Sequence, residues 1–123
     1  MNRPQLNLLV LYTSDVANCR AFYEELGLEF TAERHGDGPE HAAASLADGA
    51  VLEIYPAGRK TPTGTLRIGF TLPAGQRSAI QLSVGRHLLR DPDGRAVEVS
   101  VSAAPESPPG RRRRMGRRRS SAR

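Results

Sequence analysis

The sequence predicts an α+β fold, with strand, helix and three strands in the first half and strands alone in the second. Three observations point there. A β-prone apolar run opens the chain and gives way to a run with helical spacing, strand-like segments flanking turn residues follow, and the second half holds no stretch able to carry a three-turn helix. At 123 residues the chain suits one compact domain.

Leu6 to Thr13 is apolar on both faces, as a strand covered on two sides would be. Ser14-Asp15 supplies a helix N-cap, and Val16, Cys19, Phe22, Tyr23 and Leu26 then recur at helical spacing. Gly27 is placed to end the helix in the left-handed conformation. Glu24 and Glu25 sit at the unfavourable end of the helix dipole, so the apolar face must hold this helix. Glu29 to Arg34 is strand-like, and His35-Gly36-Asp37-Gly38-Pro39 is a loop. His41 to Ala47 and Ala50 to Tyr55 flank Asp48-Gly49, a two-residue hairpin signal. In that register His41 shares a face with Ala43 and Ser45, and Glu53 shares the other with Ala42 and Ala44, so the two are expected not to meet.

The polar segment at residues 57–64 reads as a linker between a first unit, 5–56, and a second, 65–102. Thr65 to Leu72 is a strand, and Arg86 to Arg90 and Arg95 to Val101 flank the turn Asp91-Pro92-Asp93-Gly94. Ala79 to Val84 could add a short strand. The apolar side chains Ile68 or Phe70, Val97 and Val99 would then lack a helix to cover them, which predicts a second subunit, or the segment from Pro73 to Val84, on that face.

Composition narrows the function. A single cysteine, Cys19, excludes an internal disulfide and a cysteine-rich zinc fold. No apolar run approaches membrane-spanning length, no secretory core follows the N-terminus, and a cytoplasmic location is expected. The net charge of +5 is uneven: residues 103–123 carry eight arginines and one glutamate, which leaves ten basic and twelve acidic side chains in 1–102. The prolines and arginines of 103–123 predict a disordered tail. That tail could touch nucleic acid through phosphates, but it lacks interleaved aromatics and follows no nucleic-acid module, so an unselected solvated tail is the preferred reading.

Four fragments in order carry a family resemblance: Leu9 to Thr13 with Asp15, Phe22-Tyr23-Glu24-Glu25-Leu26-Gly27-Leu28, Asp48-Gly49-Ala50-Val51-Leu52-Glu53-Ile54, and Asp91-Pro92-Asp93-Gly94-Arg95-Ala96-Val97-Glu98-Val99. Together they resemble the vicinal oxygen chelate superfamily, the glyoxalase, bleomycin-resistance and extradiol-dioxygenase group. The resemblance implies paired βαβββ modules, here with a shortened second module lacking its helix, sheets curved around a shared pocket, and pairing of modules, so a homodimer is expected. The group includes both metalloenzymes and metal-free drug-binding proteins, so the site must decide the function.

Metal-dependent members place four ligands in the pocket, and the resemblance carries these positions onto Leu8, Glu53, Arg67 and Glu98. A leucine has no lone pair to donate, and an arginine stays protonated and repels cations. Two carboxylates alone make a poor transition-metal site, so neither metal nor other cofactor is expected. Glu53 and Glu98 flank apolar neighbours on their strands, so both should face the pocket. They could bind a ligand, act as acid or base, or be carboxylates that merely pair with Arg67. His35 and His41 bracket a glycine-rich loop, which reads as a flexible connection rather than a metal site; Cys19 reads as a buried structural thiol. The leading expectation is metal-free binding of a small molecule. The alternatives are a lyase- or isomerase-like enzyme using Glu53 or Glu98, and a degenerate module whose partner or tail supplies the function.

Overall fold

A computed structural model describes residues 3–75 and 80–103. The order is β1 (Leu8–Thr13), α1 (Val16–Glu25), β2 (Phe30–Glu33), β3 (His41–Ser45), β4 (Val51–Pro56), β5 (Arg67–Pro73), β6 (Gly85–Arg90) and β7 (Ala96–Ser102). They form a four-stranded sheet in the order β1-β4-β3-β2 and a three-stranded sheet in the order β5-β7-β6. This is the mixed α+β architecture expected, a βαβββ module followed by a shortened one. The arginine-rich segment beyond Ala103 lies outside the described residues, and so does 76–79. Residues 80–84, read above as the end of a short strand, take no regular structure. Among the described residues no helix is long and apolar enough to cross a membrane.

The helix starts where its cap dictates. The Asp15 carboxylate accepts a hydrogen bond from the Asn18 amide at 3.0 Å. It ends at Leu26, followed by Gly27 at φ 105°, a conformation that costs glycine little. Arg20 donates to Glu24 one turn on and to the Phe30 carbonyl, which ties the helix to the start of β2. Cys19, Tyr23 and Leu26 are buried against Leu11, Leu52, Ile54, Ala42 and Ala44 of the first sheet. The alanines of β3 matter here, because small side chains let the helix approach the sheet closely.

The second sheet is where the structure departs from expectation. Val97 and Val99 are fully buried, in the same core cluster as α1 and the first sheet. Tyr23 of α1 lies 6.1 Å from Phe70 between ring centroids, and Ile80 and Leu82 pack on the same cluster, with the Ile80 amide donating to the Glu25 carbonyl. The face left without a helix of its own is therefore covered within the chain, by Tyr23 of the first module's helix together with Ile80 and Leu82 of the segment named above as the alternative cover. Its exposure is no longer a reason to expect a second subunit. At roughly 1.5–3 kcal/mol for each buried valine or leucine, this sharing of one helix supplies much of the second sheet's stability.

A buried polar network joins the two halves. Arg95, 1% exposed, ion-pairs with Asp91 at 2.7 Å and donates to the carbonyls of Tyr12 at 2.7 Å and Thr63 at 2.9 Å. The Tyr23 hydroxyl donates to the same carboxylate oxygen, Asp91 Oδ2, 2.7 Å away. Burial alone would raise the Asp91 carboxyl, but the hydrogen bonds from Tyr23 and Arg95 outweigh it and hold the group below its usual value. A carboxyl lowered in the folded state adds stability that is present above its unfolded value, near 3.8, and is lost as pH falls through the lower folded value. Asp91→Asn should therefore destabilise the chain by about 1–3 kcal/mol at neutral pH, because the buried guanidinium loses its 2.7 Å partner and keeps Asp93, at 3.0 Å, as its remaining ion pair. Denaturant titrations at neutral and acidic pH should show the gap between wild type and variant closing as the carboxyl protonates; a gap that stays constant contradicts the assignment.

Candidate functional site

Strand alternation gives each sheet a core face and an open face. On the first sheet Leu9, Leu11, Leu52, Ile54, Ala42 and Ala44 face the core. The open face carries Leu8, Val10 and Tyr12 from β1, Val51, Glu53 and Tyr55 from β4, His41 and Ala43 from β3, and Glu33 from β2. The pairings Val10↔Glu53, Ala43↔Glu53 and Glu33↔His41 set these side by side. Tyr12 and Tyr55 meet at 5.9 Å between ring centroids, and Tyr55 stacks on His41 at 4.0 Å with planes 10° apart. The Tyr55 phenol is pushed above its ordinary value, first by loss of solvating water and then by the charge of Glu53.

This placement corrects the hairpin register. The expected two-residue loop would pair Glu53 with Ala44; instead Ala43 pairs with Glu53. The turn absorbs one more residue: the Leu46 amide donates to the Ala50 carbonyl, and the Gly49 amide, in a residue at φ 90°, donates back to Leu46. That is the geometry of a three-residue loop closed by a left-handed glycine. A one-residue shift moves a whole strand to the other face, so His41 and Glu53 share a face after all, with His41 Nε2 3.8 Å from Glu53 Oε2. His35, read above as part of a flexible connection, has its Nε2 3.6 Å from Glu33 Oε1. The signal that could have found this was Glu33-x-His35, two donors one residue apart where a strand ends, with His41 returning at the start of the next.

The open face of the second sheet carries Arg67, Arg86, Leu88 and Glu98. Arg67 holds Glu98 Oε2, through its Nε at 2.8 Å and through Nη2, and Arg86 approaches Glu98 Oε1 at 3.4 Å. The hydrogen bond from Arg67 is the first cause that keeps the Glu98 carboxyl below its usual value, with the Arg67 charge next. A carboxylate so held is a weak base.

The four family positions therefore divide in pairs. Leu8 and Glu53 lie on one open face, Arg67 and Glu98 on the other, and both faces point away from the shared core. Leu8, 48% exposed, stands level with Val51 rather than with Glu53. Leu8 offers no electron pair, and Arg67 is committed to Glu98. These residues do not fit the metal of the metal-dependent members.

The clefts around this end of the chain are separate from Glu53. One of about 130 Å³ lies between Leu8, Leu46, Val51, Ile68 and Phe70 and is almost wholly apolar. A wider one of about 600 Å³ adjoins it, between Leu28, Leu46, Phe70 and Leu72.

The comparisons with known proteins agree with this architecture. The family model described as Glyoxalase/Bleomycin resistance protein/Dioxygenase superfamily matches residues 5–76, the first module and the strand after it. The chain belongs to this superfamily. Among solved structures, a protein from the mobile metagenome of V. Pseudocholerae is similar to this member of the superfamily with a TM-score of 0.58 and 22% identity, over 82% of this chain and 96% of that one. TnmS3, an antibiotic binding protein from Streptomyces sp. CB03234, gives 0.55 and 18% over 83% and 98%. A lactoylglutathione lyase from Agrobacterium tumefaciens gives 0.55 and 18% over 82% and 96%. At these identities the likenesses establish the superfamily fold alone. No curated protein matches the chain.

Cys19 is buried in α1 beside the Arg95 guanidinium, 3.8 Å from Nη1. Burial is the main cause that pushes its thiol up to about 11, so little thiolate forms at neutral pH. An aromatic disulfide reagent should leave it unlabelled in the native state and label it fully on unfolding; rapid native labelling contradicts the burial.

Proposed function

We propose that this protein binds a small molecule without the four-position metal centre of its metal-dependent relatives, and that two copies build the pocket together. The observation that carries the reading is the division of the pocket positions between two faces turned away from one another. Around Glu53 one chain supplies a wall and not a pocket. A second copy can present its three-stranded sheet to the four-stranded sheet of the first. The faces are complementary in charge: Glu33 and Glu53 on one, Arg67 and Arg86 around Glu98 on the other. Both also expose apolar side chains, Leu8 at 48% and Tyr12 at 37% against Leu88 at 60%. Tyr12 and Tyr55 offer a planar ligand a stacking surface, and Glu53 offers it a polar anchor. The resemblance in fold to an antibiotic binding protein suits a sequestering role. Of the two carboxylates considered as a catalytic base, the ion-paired Glu98 is unsuited, and the stacked aromatics around Glu53 favour binding over proton transfer.

Light scattering should show a dimer at micromolar concentration, and Leu88→Asp should give monomers that stay folded. Calorimetry of the chelator-treated protein against bleomycin and planar aromatic antibiotics should find a binder, with Tyr55→Ala weakening it about tenfold, the loss of one stacked contact. A monomer that binds with full affinity, or binding indifferent to Tyr55→Ala and Tyr12→Ala, overturns the reading.

A further inference from the structure

We propose a second kind of site on this chain, a divalent metal site formed by Glu33, His35, His41 and Glu53 at the β2–β3 edge of the first sheet. It needs one chain only and does not rest on the dimer or on the ligand. It also differs from the family's four positions: Glu53 is shared, but the other three donors come from the first module, where Leu8, Arg67 and Glu98 play no part.

The donor atoms of these four side chains all lie within 4.8 Å of one another. Three separations are close to the edges of a coordination polyhedron: His41 Nε2 to Glu33 Oε1 at 3.4 Å, His35 Nε2 to Glu33 Oε1 at 3.6 Å, and His41 Nε2 to Glu53 Oε2 at 3.8 Å. Ligands held at about 2.0–2.2 Å in a tetrahedron stand about 3.3–3.6 Å apart, so an ion fits with sub-ångström adjustment.

His41 gives the independent sign of a missing partner. Its side chain is 1% exposed, and its Nε2 is buried with no hydrogen-bond partner. The ring is fixed from both sides: Tyr55 stacks on its face, and Nδ1 lies 3.3 Å from the Pro39 carbonyl. With the proton on Nδ1 donated to that carbonyl, Nε2 keeps its lone pair, the arrangement found in metal-bound histidines. That lone pair faces two carboxylates. Three electron-rich groups converging without a donor among them repel, and a cation in their midst reverses the sign. The competing arrangement puts a second proton on His41, but Nε2 makes no hydrogen bond to either carboxylate from its present position.

Two imidazoles and two carboxylates suit a borderline first-row divalent ion, zinc or cobalt(II), better than calcium or copper(I). His35 is the adjustable donor, 70% exposed beside Gly36, while His41 and Glu53 are held by strand pairing.

The full chain, stripped with chelator, should be titrated with cobalt(II) and followed by visible absorption, then competed with zinc. One ion per chain with a four-coordinate spectrum is expected. His35→Ala and Glu33→Gln alter exposed side chains and should each weaken binding at least about tenfold while leaving metal-free thermal unfolding unchanged. His87→Ala should bind as wild type does. Leu88→Asp should also bind normally even if dimerisation fails, which separates this site from the proposed function. In the wild-type chain, zinc should shift the ring nitrogen signals of His35 and His41 in NMR and leave those of His87 in place. Absence of saturable binding, or equal binding by His35→Ala and Glu33→Gln, overturns the proposal, as does a zinc response confined to His87.

Discussion

The interaction on which the rest of the structure depends is the Arg95 guanidinium, buried where the two halves of the chain meet. It draws together the turn before β7 through Asp91, the end of β1 through the Tyr12 carbonyl, the linker through the Thr63 carbonyl, and α1 through Cys19 and the Tyr23–Asp91 hydrogen bond. A buried cation is costly unless its donors are satisfied, and these acceptors come from four separate segments. Arg95 is satisfied where the turn before β7 packs against the end of β1 and the linker, beside the helix of the first module. The back-to-back arrangement follows, and so does the outward turn of both open faces.

Much of this was legible wherever the signal is local. Asp15, Gly27 and the Asp91-to-Gly94 turn act on backbone groups a few residues away, and each acts as its chemistry requires. The apolar runs of β4 and β7 likewise report burial on their own, whereas β1, read as covered on both faces, is covered on one and leaves Leu8 and Tyr12 exposed on the other. What escaped was long-range. That Tyr23 would serve two sheets cannot be read from helical spacing, because the stripe looks the same whether it meets one sheet or two. Arg95 sits in a turn-flanking position that normally means solvent, and only the assembled acceptors show otherwise.

The site was lost to the sequence through a smaller error. Asp48-Gly49 announces a hairpin, and that much held, but a two-residue and a three-residue loop share the same signal. Since side chains alternate at every residue, the choice decides whether Glu53 joins His41 or opposes it. A family comparison of positions carries the eye to Leu8 and Arg67 and past the β2–β3 edge. Superfamily membership fixes where a pocket can be built, and the side chains on each face determine what it can hold.

One helix covering two sheets also constrains how the chain comes into being. Val97 and Val99 share an apolar cluster with α1, and Arg95 takes the Tyr12 and Thr63 carbonyls as acceptors from far upstream. The closing hairpin of β6 and β7 thus has a local turn but no interior of its own. During synthesis the first module leaves the ribosome before that hairpin exists, with the Tyr23 side of its helix bare. For that interval the nascent chain displays the same kind of apolar surface that holds the finished molecule together. The order of its parts exposes this surface before the residues that cover it have been made.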